Sequence, residues 1–192
     1  MSAVSTVDDA LVQIAPLAGV GAERSPRRVA VSERSDRTAP DVTVRSARIS
    51  DMRQVEQIVN GFARDNLMLP KRHEELVRLF REFVVAVDAD DRVLGCGALR
   101  VYNEELAEVA SLAVEESAHG AGIGRRIVER LIDDGRALGL TTVFALTLQE
   151  VFFQRLNFRT VPRESFPGKV WADCRNCPKL HACDEIAVAL TL

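Results

Sequence analysis

The stretch LAVEESAHGAGIGRR, residues 112–126, decides how the rest of the chain is read. It starts as an apolar strand end (Leu112, Ala113, Val114), turns through polar residues, and sets Gly120, Gly122 and Gly124 just ahead of an amphipathic helix. Glycine allows a ligand close to the backbone and tolerates positive φ. A helix start adds unpaired N–H groups and the positive end of the macrodipole. The stretch therefore predicts an anion site, with phosphate as the natural ligand, against the plainer reading of a tight connection.

Two phosphate loops fail against these letters. A nucleoside-triphosphate loop needs Gly-Lys-Ser/Thr, and here Gly124 precedes Arg125 and Arg126. The dinucleotide fingerprint needs G-x-G-x-x-G with a later acidic residue, and the glycines here alternate. The run His119-Gly120-Ala121-Gly122-Ile123-Gly124, after Leu112-Ala113-Val114, instead resembles the pyrophosphate loop of the GCN5-related N-acetyltransferases. In that pattern, Gln/Arg-x-x-Gly-x-Gly/Ala, His119 replaces the usual first residue.

Composition sets the frame. The chain has 192 residues, 47% hydrophobic and 28% charged, enough for one domain plus a tail. A net charge of −3 gives no basic footprint for nucleic acid. No apolar run is long enough to span a bilayer and no secretory leader is read, so a cytoplasmic protein is expected. Residues 1–40, rich in Arg, Ser and Pro over 23–40, read as a disordered extension, with the folded domain over 41–192.

Within that domain the periodicities give β-α-α-β-β-β-α-β-α-β. A strand from Val42 leads to a helix carrying Met52, Val55, Ile58, Val59 and Phe62, and a loop with Pro70 leads to a second helix from His73. Strands Phe83–Val87, Val93–Val101 and Leu106–Val114 follow. The helix after the glycines points Ile123, Ile127, Leu131 and Leu138 inward. Then come a strand at Thr142–Leu148, a helix at Glu150–Leu156 and a last strand at Glu185–Leu192. The expected fold is α/β (α+β): a mixed, mostly antiparallel sheet with helices on both faces, in which the strand before the glycine loop runs parallel to Thr142–Leu148. This order agrees with the acetyltransferase fold, and Phe152-Phe153-Gln154-Arg155-Leu156-Asn157-Phe158 resembles the family's Leu-Gly-Phe helix end, with Asn157 for glycine.

The resemblance implies acetyl-CoA as co-substrate. Its pantetheine arm would lie along the backbone of Leu112, Ala113 and Val114. Its pyrophosphate would meet His119, Gly120, Gly122, Ile123 and Gly124, with Arg125 and Arg126 adding charge. It also implies a tyrosine as acid for the thiolate in the later helix, where this chain has Phe153.

Amine attack needs a base. Strand alternation puts Glu108 on one face with Leu112 and Val114, making it the catalytic candidate; an exposed carboxylate, or one paired with Arg100, is the competing reading. The subgroup most resembled is the stand-alone amino-acid N-acetyltransferases of the N-acetylglutamate synthase type. It is carried by Leu69-Pro70-Lys71-Arg72, Gly95-Cys96-Gly97-Ala98-Leu99, Ala107-Glu108 and Leu146-Thr147. Glutamate or glutamine is the implied acceptor, in arginine biosynthesis. Lys71 and Arg72 are the substrate-binding candidates, opposite Arg48 in reserve and the bland reading of solvated cations. Acetylation of another amine or a protein, and a non-catalytic acetyl-CoA sensor, are the alternatives. The partners expected are a small amino acid and, at most, a second copy as a homodimer. Cys174, Cys177, Cys183 and His181 could ligate zinc, but the spacing lacks two separated pairs, so a packed or oxidisable thiol cluster is expected and no metal.

Overall fold

The computed structural model describes residues 41–166, 174, 177, 179 and 182–192. The expected extension over 1–40, and His181 of the cysteine cluster, lie outside them.

Among the described residues seven strands form one sheet in the order β1-β2-β3-β4-β5-β7-β6. They are β1 Thr43–Ser46, β2 Phe83–Val87, β3 Val93–Val101, β4 Leu106–Val114, β5 Thr142–Thr147, β6 Arg159–Thr160 and β7 Ile186–Thr191. The helices are α1 Met52–Arg64, α2 His73–Leu79, α3 Ile123–Ala137 and α4 Glu150–Gln154. Neighbouring strands pair antiparallel except β4 and β5, which run parallel with α3 as the crossover. The mixed, mostly antiparallel sheet read from the sequence is the sheet observed. The two-residue β6 has no periodicity to detect and was not expected.

Helices cover both faces because each offers one apolar stripe. Met52, Val55, Ile58 and Val59 of α1 and Leu76 of α2 pack on Phe83, Val85, Cys96, Ala98 and Ala113. On the opposite face Ile123, Ile127, Val128, Leu131 and Ile132 of α3 pack on Val84, Leu94, Leu99, Ala107 and Val109. Leu138 departs from expectation. It follows the helix, which ends at Ala137, and is 65% exposed, while Val128 and Ile132 fill the buried stripe. Gly97 lets α3 approach closely: a Cβ there would stand 2.8 Å from Cγ2 of the buried Ile127.

The entry to α1 is fastened by a buried carboxylate. Asp51 accepts from Arg45 Nη1 at 2.7 Å and Nη2 at 3.2 Å, and from the Arg48 backbone N–H at 2.7 Å. Burial alone would raise the Asp51 carboxyl, but the Arg45 guanidinium and the Arg48 N–H together hold it below the usual carboxylate range. A depressed folded pKa contributes stability that is fully present above the unfolded value of about 4 and is lost as pH falls through the folded value. Asp51→Asn should therefore cost about 2–3 kcal/mol at neutral pH, and the gap from wild type should shrink below about pH 4. Urea unfolding at pH 7 and at pH 3.5 measures both.

Candidate active site

The site is organised by one irregularity in β4. Cys96 pairs with Ala113 but Ala98 pairs with Ala110, so β4 carries one extra residue opposite Gly97. The extra residue shows in Ser111, whose φ is +52°. A bulge of this kind reverses which face later side chains address. Before it, Ala107 and Val109 pack against α3; after it, Leu112 and Val114 do so. Strict alternation, and with it the placing of Glu108 on the face of Leu112 and Val114, is therefore corrected. Glu108 lies on the opposite face, across the hairpin from Arg100.

That position is distinctive. The parallel pairing of β4 with β5 runs only from Leu106↔Thr142 to Glu108↔Phe144. Beyond it, among the described residues, β5 pairs with β7 alone, so the two strands part and Glu108 stands where the gap begins. It is 3% exposed, and Oε2 accepts from the Tyr102 hydroxyl at 3.0 Å. The exposed-carboxylate reading is thus excluded. On the same face Arg100 sits 3.8 Å from Glu82. The ring of Phe144 stacks on Phe166 at 4.0 Å.

At the far end of the gap lies the glycine loop. Gly120 and Gly122 have φ of +80° and +69°, and Gly122 caps α3. His119 Nε2 lies 2.8 Å from the Val114 carbonyl oxygen. A carbonyl only accepts, so Nε2 carries the proton and the ring ties the loop to the end of β4. Arg125 pairs with Glu129, and Arg126 donates to the Val42 carbonyl at 2.7 Å. Phe152 lines the loop from α4, within 3.6 Å of where a Gly124 side chain would begin. Phe153 instead packs edge-on against Phe158 in the core beside α3. Neither ring has a proton to give a thiolate.

The acceptor-side cations differ in their settings. Lys71 is 16% exposed and its Nζ meets Glu75 at 2.6 Å, while its backbone is clamped by the Asn60 amide. Arg72 is exposed at the start of α2. Arg48, the reserve, pairs with Asp91. Beneath the bulge, Cys96 is fully buried with Sγ 3.6 Å from the Ser111 carbonyl; burial pushes its thiol up to about 12, against a smaller opposing effect from the Ala113 backbone.

Among the described residues no three His, Cys, Asp or Glu side chains are placed to hold a metal ion. Cys174 is buried against Arg163, whose Nη2 is 3.8 Å from Sγ, and the Cys177 N–H donates to the Cys174 carbonyl. No described helix is long and apolar enough to cross a membrane.

The parted parallel pair and the glycine-capped helix beside it match the arrangement that the resemblance to the acetyltransferases implies. The family model described as the acetyltransferase (GNAT) family matches residues 49–158. The chain belongs to that family.

The acetyltransferase is 42% identical over 154 residues to an uncharacterized N-acetyltransferase of Chlorobaculum tepidum, covering 80% of this chain and 99% of that one. It is 37% identical over 136 residues to the amino-acid acetyltransferase of Mycobacterium tuberculosis, covering 69% and 78%. Among solved structures, a Mycobacterium tuberculosis protein in complex with coenzyme A superposes with a TM-score of 0.67 at 33% identity, covering 78% of this chain and 99% of that one. The N-acetylglutamate synthase of Neisseria gonorrhoeae, complexed with coenzyme A and N-acetyl-glutamate, gives 0.71 at 24% identity, covering 79% and 35%, which speaks for the fold alone. The chain is thus a GNAT-type enzyme that takes its acetyl group from acetyl-CoA.

Sequence reasoning missed Tyr102 as a site residue. It sits at a turn, and only the β3–β4 register brings its hydroxyl to Glu108.

Proposed function

We propose that this acetyltransferase acetylates the α-amine of a small amino acid, with glutamate or glutamine first, as an N-acetylglutamate synthase at the first step of arginine biosynthesis. The observation that carries the reading is the buried Glu108 carboxylate at the point where β4 and β5 part. The thioester would enter that gap along Leu112, Ala113 and Val114, with its pyrophosphate on the backbone of Gly120, Gly122, Ile123 and Gly124, and Arg125 nearby. Backbone N–H groups of β4 that β5 does not engage would polarise the acetyl carbonyl.

Glu108 takes the proton of the incoming ammonium, directly or through one water. The amine nitrogen attacks the carbonyl carbon and the new C–N bond forms; as the C–S bond breaks, the second proton leaves the nitrogen and passes through water to the departing sulfur, which is released as the thiol, while Glu108 returns its proton to solvent. Arg72, exposed at the start of α2, supplies positive charge for the carboxylates of the acceptor; Lys71 joins it by exchanging Glu75 for a substrate carboxylate, and Arg100, beside Glu82, adds a cation on the face of Glu108. Relatives named amino-acid acetyltransferase support the choice of acceptor.

The test is acetyl-CoA-dependent thiol release over a panel of amino acids and simple amines. Turnover with glutamate or glutamine well above the rest supports the reading; no turnover with any amino acid sinks it. One observation favours a cationic or protein acceptor instead. A cleft of about 390 Å³ between α1 and the turn after β4 is lined by Asp65, Glu116 and Glu115, with Arg64 in its wall and Arg92 paired to Glu115. Preference for polyamines or lysine in the same panel would select that alternative.

A further inference from the structure

Tyr102 is the chain's one tyrosine, and nothing in the reaction as drawn uses it. Several contacts hold it in place. The Tyr102 N–H donates to the Leu106 carbonyl at 2.9 Å, and the Asn103 side chain accepts from the N–H groups of Glu105 and Leu106, which fixes the turn. Its ring is tilted against Phe144 at 5.8 Å, and Phe144 is itself stacked on Phe166. Backbone and ring thus bring the hydroxyl to Oε2 of Glu108.

Resting on Glu108 as the base, we infer that Tyr102 is the positioning residue of this active site, its hydroxyl fixing the plane and rotamer of the Glu108 carboxylate at the mouth of the β4–β5 gap. A base must meet its proton within hydrogen-bond reach, and small misplacements are expensive in rate. Glu108 carries rotatable bonds that a strand does not restrain. A phenol on a rigid aromatic stack adds a directional bond that restrains them.

The competing account is structural: the hydroxyl merely satisfies a buried carboxylate. A double-mutant cycle separates the two. Tyr102→Phe keeps the ring on Phe144 and removes only the hydroxyl. It should lower kcat about 10- to 100-fold with little change in the KM for acetyl-CoA. In a Glu108→Gln background the same substitution should cost nothing further. Equal losses in both backgrounds, or a silent Tyr102→Phe where Glu108→Gln is crippling, would overturn the inference while leaving Glu108 as base. A silent Glu108→Gln would remove the base reading itself.

A second measurement needs no substitution at residue 102. Because the chain has one tyrosine, fluorotyrosine incorporation labels this position alone. Its ¹⁹F resonance should shift between wild type and Glu108→Gln, and again when coenzyme A and the N-acetylated product are added. A resonance indifferent to both changes refutes the inference even if Tyr102→Phe does not fold.

Discussion

Glu108→Gln should lower kcat by about 10²–10⁴-fold at neutral pH. Glutamine keeps the size of the side chain and an oxygen to accept from Tyr102, so the packing around the gap survives. What it loses is the capacity to take a proton from an ammonium. The deficit should narrow as pH rises, because a growing share of the acceptor then arrives already neutral. Binding of coenzyme A should be unchanged, since the carboxylate faces away from α3 and its loop. Steady-state thiol release across pH, with coenzyme titration calorimetry alongside, checks all three points. A loss under about tenfold would be too small for general-base catalysis and would hand the deprotonation to solvent.

The second large effect is expected at Gly122. Its φ of +69° belongs to the left-handed region, and a β-branched side chain there is strained by about 1–3 kcal/mol. Valine would also place methyl groups where a pyrophosphate must come close to the backbone. Gly122→Val should therefore weaken coenzyme A binding by about 10- to 100-fold, with a matching rise in the KM for acetyl-CoA. Gly139→Ala provides the control. Gly139 has φ of +80°, and a Cβ there would meet nothing within 4 Å, at the other end of α3. That substitution should lower stability and leave coenzyme affinity alone. If Gly122→Val binds coenzyme A like wild type, the glycine loop is only a turn.

Much of this architecture can be read without coordinates, and the reasons are local. α1 announces itself through Met52, Val55, Ile58 and Val59, and the strand–loop–helix unit through Leu112 to Arg126. Asn157, placed by resemblance where the family has glycine, indeed has φ of +68°. What escapes is whatever depends on registry between strands. Ser111 is not a glycine and carries no mark of its left-handed backbone, so alternation through it assigned Glu108 to the wrong face. Tyr102 and Glu108 lie six positions apart across a turn, and their contact exists only once β3 and β4 are in register. Lys71 reads as a solvated or substrate-facing cation, yet the helix that follows brings Glu75 onto it. The four-residue spacing of Lys71 and Glu75 at the start of α2 is itself legible as an ion-pair pattern; what the letters leave open is whether Lys71 keeps that partner or turns to a substrate.

The same bulge leaves a further consequence in Cys96. Its thiol is closed off behind Ser111 and holds almost no thiolate at neutral pH, and the thiolate is the form that reacts. Alkylation of Cys96 thus waits for β3 and β4 to come apart, which makes it a natural clock for opening of the sheet beneath the site. After the cysteines of residues 174–183 have been blocked, mass spectrometry of the unmutated protein should show this one label arriving slowly, and saturating coenzyme A should slow it further.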